Sequence, residues 1–149
     1  MLLSVDPGKR CGWCEIYTSG EKEGSTESGV IDGDDVYGVA YHLKMSATVL
    51  VIESQYAKRY VDKTGRSGIN FKAVETLMLL AHRWIVLAEL YGIEVVRVAP
   101  SVWQSYFHLK PGDKAAYNSL ASSIAGRPLK PDEDVAVLIG EWYRLEMED

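Results

Sequence analysis

Residues 1–17, MLLSVDPGKRCGWCEIY, decide how the rest of the chain is read. Met1 to Val5 is a short apolar run, the pattern of a strand covered on both faces. Asp6-Pro7-Gly8 stops it. Pro7 lacks a backbone N–H and Gly8 tolerates positive φ, so the chain turns directly after a carboxylate. Lys9 and Arg10 form a polar tip, and Gly12 to Tyr17 returns as a second, antiparallel strand. Asp6 is therefore expected at the end of a central strand, at the rim of the sheet. A carboxylate there is solvated, hydrogen-bonded or bound to a cation. Capping of its own turn explains it as well as a metal does until partners are found.

The first partner lies at the next landmark, Thr48-Val49-Leu50-Val51-Ile52-Glu53. Four consecutive aliphatics predict a parallel strand buried on both faces, and it too ends in a carboxylate. In open α/β sheets, chemistry gathers beyond the strand ends near the point where strand order reverses. Glu53 beside Asp6 would make a paired acidic site; a solvated strand-end glutamate is the plainer reading. Directly after it come Ser54-Gln55-Tyr56-Ala57-Lys58-Arg59-Tyr60 and the Gly-containing stretch Val61 to Gly68. Lysine and arginine alternating with tyrosine suit a mobile loop that meets phosphates and stacks on bases, with Tyr56, Lys58 and Arg59 as the contacts; an ordinary exposed loop is the plainer alternative.

Between these landmarks, Thr18 to Ser28 reads as a solvated loop and Gly29 to Ile31 as a short third strand. Asp32 to Asp35 reads as the N-terminal turn of a helix over 36–46. Residues 69–91 predict a long helix, with Asn70 as N-cap, apolar on more than one face and so deeply buried or shared with a second copy. Gly92 ends it, and Ile93 to Ala99 is another short strand. Ser101 is expected to cap a short helix bearing Trp103 and Phe107. Gly112-Asp113-Lys114 then begins a helix that runs to about Ile124, with Lys114 exposed or reaching a phosphate. Asp132-Glu133-Asp134 precedes a very apolar final helix. Acids at a helix start suit its dipole; they would also deliver ligands to Asp6 and Glu53.

The chain of 149 residues, 47% hydrophobic and 25% charged, suits one globular domain spanning 1–149. A net charge of −5 argues mildly against a nucleic-acid partner, but metal-binding carboxylates are counted in that sum. Cys11 and Cys14 have CxxC spacing without a second pair, so they are expected as reduced thiols in a cytoplasmic protein. His42, His82 and His108 lack ligand spacing. No signal peptide or membrane-spanning run is expected. Carboxylates at two strand ends and one helix start describe a magnesium nuclease site. Two such ions about 4 Å apart activate water and stabilise the leaving 3′ oxygen.

On three motifs the chain resembles the RuvC-type Holliday junction resolvases, in the compact form found in phages, within the RNase H-like superfamily. LLSVDPGKRCGWCEI resembles the opening strand with its DPG turn, VLVIESQYAKR the motif with the catalytic glutamate, and PDEDVAVLIGEW the acidic start of the last helix. The resemblance implies an α/β RNase H-like fold: a central mixed five-stranded sheet, three antiparallel strands and then parallel ones, flanked by helices. It implies Asp6 and Glu53 as metal ligands, Tyr56 as a junction-stacking aromatic, and Lys114 near the scissile phosphate. It further implies Mg²⁺ or Mn²⁺, two ions per site, and a homodimer that places paired nicks in a four-way junction. A phage role in debranching DNA fits the same likeness. The last motif departs from the family, whose two aspartates stand three residues apart. Here Val135 follows Asp132 at that spacing and Val137 follows Asp134. Asp132 with Asp134 is taken as the pair, with Glu133 as a substitute. A non-cleaving module that binds branched or single-stranded DNA is the alternative. An actin-like phosphotransferase would need a second lobe and a second phosphate loop.

Overall fold

The computed structural model describes residues 1–54, 59–61, 67–69 and 71–147. In chain order the elements are β1 (Leu2–Asp6), β2 (Arg10–Ile16), β3 (Thr26–Asp32), α1 (Val36–Ser46), β4 (Val49–Glu53), β5 (Arg59–Val61), β6 (Ser67–Ile69), α2 (Phe71–Leu90), β7 (Glu94–Val98), α3 (Pro100–Tyr106), α4 (Lys114–Ala125) and α5 (Pro131–Met147). Five strands form a mixed sheet in the order β3-β2-β1-β4-β7. The first three are antiparallel, and β4 and β7 add to β1 in parallel. This is the mixed five-stranded sheet flanked by helices that the sequence leads one to expect.

Alternate residues of the strands feed two cores. Leu3, Val5, Leu50 and Ile52 pack with Val39, Leu43, Trp84, Ile85 and Ala88 under α1 and α2. Leu2, Cys14, Ile16, Val51 and Val98 pack with Trp103, Tyr117 and the α5 residues Ala136 to Ile139 on the other face. Small residues let α5 approach closely. A Cβ on Gly140 would run into the side chains of Ser4 and Ile16, and the Ser4 hydroxyl donates to the Ala136 carbonyl at 2.6 Å.

Four details differ from the sequence reading. Strand β3 starts at Thr26 and not at Gly29, because it pairs with β2 along its whole length, from Arg10↔Asp32 to Ile16↔Thr26. Its polar residues are tolerated on an edge strand. Helix α3 starts at Pro100, whose fixed φ suits the first helical position, and Ala99 rather than Ser101 occupies the N-cap. The basic stretch expected as a loop includes a short hairpin, with Arg59 opposite Ile69 and Val61 opposite Ser67. Tyr56, Lys58 and Asn70 lie outside the described residues.

The fourth difference is α2, which is neither buried all round nor covered along its length. Leu80, Ala81, Trp84, Ile85 and Ala88 are buried, whereas Phe71 is 74% and Leu79 62% exposed. Helical phase explains it: Phe71, Met78, Leu79, Val86 and Leu90 recur on the side of α2 opposite Leu80, Ala81, Trp84, Ile85 and Ala88, and so face away from the sheet. The helix ends as expected at Gly92, with φ of 71°, whose N–H meets Glu89 while that of Ile93 meets Ala88. Among the described residues no helix is long and apolar enough to cross a membrane.

Candidate active site

Strand register brings the two strand-end carboxylates together. Leu2 to Val5 pair in parallel with Val49 to Ile52, so the next step sets Asp6 beside Glu53, with strands about 4.8 Å apart. Both side chains leave the sheet on the α5 face, because β1 and β4 alternate and Ser4 and Val51 point that way. Both are half-buried. Antiparallel pairing sets Gly12 on the other side of Asp6. A Cβ on Gly12 would fall on the Asp132 carbonyl oxygen. A missing side chain thus lets the first turn of α5 lie against the sheet beside Asp6.

Pro131 opens α5 and places all three acids inside its first turn. Each turns to a different partner. Asp132 is partly exposed and accepts from Arg10 Nε at 2.8 Å. Glu133 reaches back to the Lys130 N–H at 2.8 Å, one half of a capping box, and accepts from Ser28 Oγ at 2.8 Å. Arg127 in turn donates to Ser28 at 2.7 Å. Asp134, 3% exposed, receives Asn118 Nδ2 on both oxygens, at 3.1 and 3.2 Å. Burial pushes its carboxyl above the usual range, and Asn118 partly opposes the shift. Glu133 is a helix cap facing β3. Among the described residues, no three His, Cys, Asp or Glu side chains stand close enough to hold a metal ion.

Glu53 is held by a residue that the sequence reading passed over. Trp103 Nε1 donates to Glu53 Oε2 at 2.9 Å from a fully buried indole. A buried tryptophan must find an acceptor for its one N–H, which was the available signal. Asn118 was missed too, although asparagine inside a helix more often bonds elsewhere than supports the helix. Lys114 is exposed at the start of α4. It lies four residues before Asn118 and so on the face turned toward α5. Lys9, Arg10, Asp32 and Lys130 line a cleft beside the Asp6 turn, adding cations that the sequence treats only as turn tips.

Cys11 and Cys14 are free and sit in opposite cores, since three residues along a strand reverses the face. Burial pushes both thiols up to about 12, so neither reacts readily as a thiolate at neutral pH. His42 pairs with Glu15 at 3.2 Å on the α1 side of the sheet, away from Asp6.

No family model matches the sequence. No curated protein matches it either. Solved structures do. Thermus thermophilus RuvC in complex with a Holliday junction substrate superposes with a TM-score of 0.68 at 11% identity, covering 99% of this chain and 96% of that one. The chain has the RuvC fold. A second Thermus thermophilus RuvC structure matches with a TM-score of 0.62 at 15% identity, again over 99% and 96% of the two chains. The fowlpox virus resolvase, solved with its substrate Holliday junction DNA, matches with a TM-score of 0.61 at 15% identity, over 98% and 99%. In this RuvC fold, the Asp6 and Glu53 ends of the central strands are where the β1–β2 turn and the first turn of α5 meet.

Proposed function

We propose that the chain is a structure-selective, metal-dependent endodeoxyribonuclease that resolves four-way DNA junctions by paired phosphodiester hydrolysis. One observation carries the reading: two carboxylates at neighbouring central strand ends, on one face, in a fold shared with two resolvases solved on their junctions. The donors are all carboxylate oxygens, the set that suits a hard divalent cation such as Mg²⁺ or Mn²⁺. The donor types fit that chemistry, and among the described residues no three of them already stand around one point. Asp6, Glu53 and Asp134 would hold the metal, and Asp132, tied to Arg10, would be the outermost ligand. When bound, such ions polarise the phosphate and lower the pKa of their water.

The protein's own part is positioning. Strand pairing fixes the backbones of Asp6 and Glu53, and α5 brings Asp134 to the same end of the sheet. Lys114 would meet the scissile phosphate, with Lys9 and Lys130 on the flanking backbone. Tyr56, Lys58 and Arg59 follow Glu53 directly and would engage the junction. The exposed Phe71, Met78 and Leu79 on the outer face of α2 suit pairing with a second copy, which would give two sites for two nicks.

The test is cleavage of a labelled four-way junction in Mg²⁺ by the native chain and by Glu53→Gln. Symmetric nicks lost in the variant, with junction binding retained, are expected; failure of the native chain to bind the junction overturns the proposal. A second reading, a module that binds branched DNA without cutting it, draws on the separate engagement of Asp132, Glu133 and Asp134. Binding without nicks in either protein would establish it.

A further inference from the structure

We propose that α3 and α4 form one positioning unit for the site, with Trp103 orienting Glu53 and Asn118 orienting Asp134. The proposal rests on the reading that these two carboxylates do the work. Strand pairing fixes where the Glu53 backbone lies but not where its carboxylate points, since three side-chain torsions remain. Each unfixed torsion spreads the carboxylate over positions of which only some are productive. Trp103 removes that freedom. Its indole is 1% exposed, has a single donor and no acceptor, and spends that donor on Glu53 Oε2 at 2.9 Å. A charge-assisted bond from a side chain that cannot itself rotate is a stiff constraint.

The stiffness has a visible source. Tyr117 packs edge-on to Trp103, with ring centroids 5.1 Å apart and planes at 70°. Its hydroxyl accepts from Gln104 Nε2 at 3.0 Å and from the Gly112 N–H at 2.8 Å, pinning both α3 and the connecting loop to α4. The next residue is Asn118. One amide donates to the Leu129 carbonyl at 3.1 Å and to both oxygens of Asp134. Two neighbouring residues of α4 therefore serve the two carboxylates: Tyr117 through Trp103, and Asn118 directly. A buried tryptophan that merely satisfied its N–H would make the same single contact; the coupling through Tyr117 to a second carboxylate is what such a residue would lack. Partners of this kind are worth roughly 10–100-fold when a metal-holding carboxylate depends on them.

The experiment uses the full chain and ¹H–¹⁵N spectra of its indole N–H groups, assigned with Trp103→Phe, which keeps ring packing against Tyr117 and removes the donor. The Trp103 signal should lie downfield, move upfield in Glu53→Gln, and shift when MgCl₂ is added to the native chain. Trp103→Phe and Asn118→Leu should each lower kcat for junction cleavage about 10–100-fold, raise the half-saturating Mg²⁺, and leave junction affinity unchanged. An indole signal indifferent to Glu53→Gln overturns the hydrogen bond. Unchanged kcat and unchanged Mg²⁺ requirement in both variants overturn the positioning role. If the native chain binds junctions without cutting, a Trp103 signal that still responds to MgCl₂ upholds the positioning while the nuclease reading fails.

Discussion

The two faces of the central sheet come from alternate residues of the same strands, yet they are built on opposite plans. Toward α1 and α2 stand Leu3, Val5, Leu50 and Ile52, bulky and fully covered by Trp84, Leu43 and their neighbours. Toward α5 stand Ser4, Gly12 and Cys14, with Asp6 at the rim, met by Ala136 and Gly140. Large side chains fill space and hold helices off the sheet; small ones let a helix close on it. Both faces supply apolar burial, but only the second, where small residues interrupt Leu2, Ile16 and Val51, also decides where the carboxylates stand. Chemistry is thus confined to one side of the strands, and stability is shared by both.

Substitutions on the two faces should separate those roles. Leu50→Ala empties a site with no exposure, and is expected to cost about 2–5 kcal/mol, lowering the melting temperature by roughly 2–4 °C per kcal/mol. Cleavage per folded molecule should stay close to native. Gly12→Ala should cost less, about 1–3 kcal/mol, and yet cut activity further, because its Cβ lands on the Asp132 carbonyl and displaces the acidic turn. Thermal melts paired with cleavage normalised to the folded fraction read both. If Leu50→Ala loses more activity per folded molecule than Gly12→Ala, the division between the faces does not hold.

The contrast also accounts for what could be read in advance. Buried strands announce themselves locally: VLVIE and LLSVD are apolar runs ended by acids, and parallel pairing then sets Asp6 beside Glu53. The start of α5 carries no such local code. Three consecutive acids point in three directions, and each direction is chosen by a distant residue: Arg10 on β2, Ser28 on β3, Asn118 on α4. Periodicity identifies the helix but not which acid faces which neighbour. Trp103 was visible only as an apolar residue, since its role lies in one N–H and one partner fifty positions away.

Asp134 sharpens the comparison, because it is a charge kept on the packed side of the sheet. Burial raises its folded carboxyl above the unfolded value, so the ionised form disfavours folding at neutral pH and the penalty fades as pH falls toward the raised value. Asp134→Asn should therefore abolish cleavage while raising the metal-free melting temperature. Asp132 and Glu133 remain to favour the helix dipole. The stabilisation should shrink as the pH falls and the native carboxyl takes up its proton. A variant that melts lower than the native chain at pH 7 would show the carboxylate to be a net structural asset and not a functional burden.

The smallest effect is expected at Arg10, and it bears on how many carboxylates serve the site. Its pair with Asp132 is well formed at 2.8 Å, but both side chains are largely solvated, at 68% and 41% exposure. Such pairs contribute about 0–1 kcal/mol and weaken in salt. Arg10→Gln should thus move the melting temperature by no more than a few degrees. The guanidinium nevertheless occupies an oxygen that a cation would otherwise use. Its removal should lower the half-saturating Mg²⁺ for junction cleavage severalfold, most clearly at low ionic strength where the pair is strongest. An unchanged Mg²⁺ requirement would mean that Asp132 serves only to tie β2 to α5. The site would then be built from Asp6, Glu53 and Asp134 alone, all of them on the side of the sheet where small residues let a helix close.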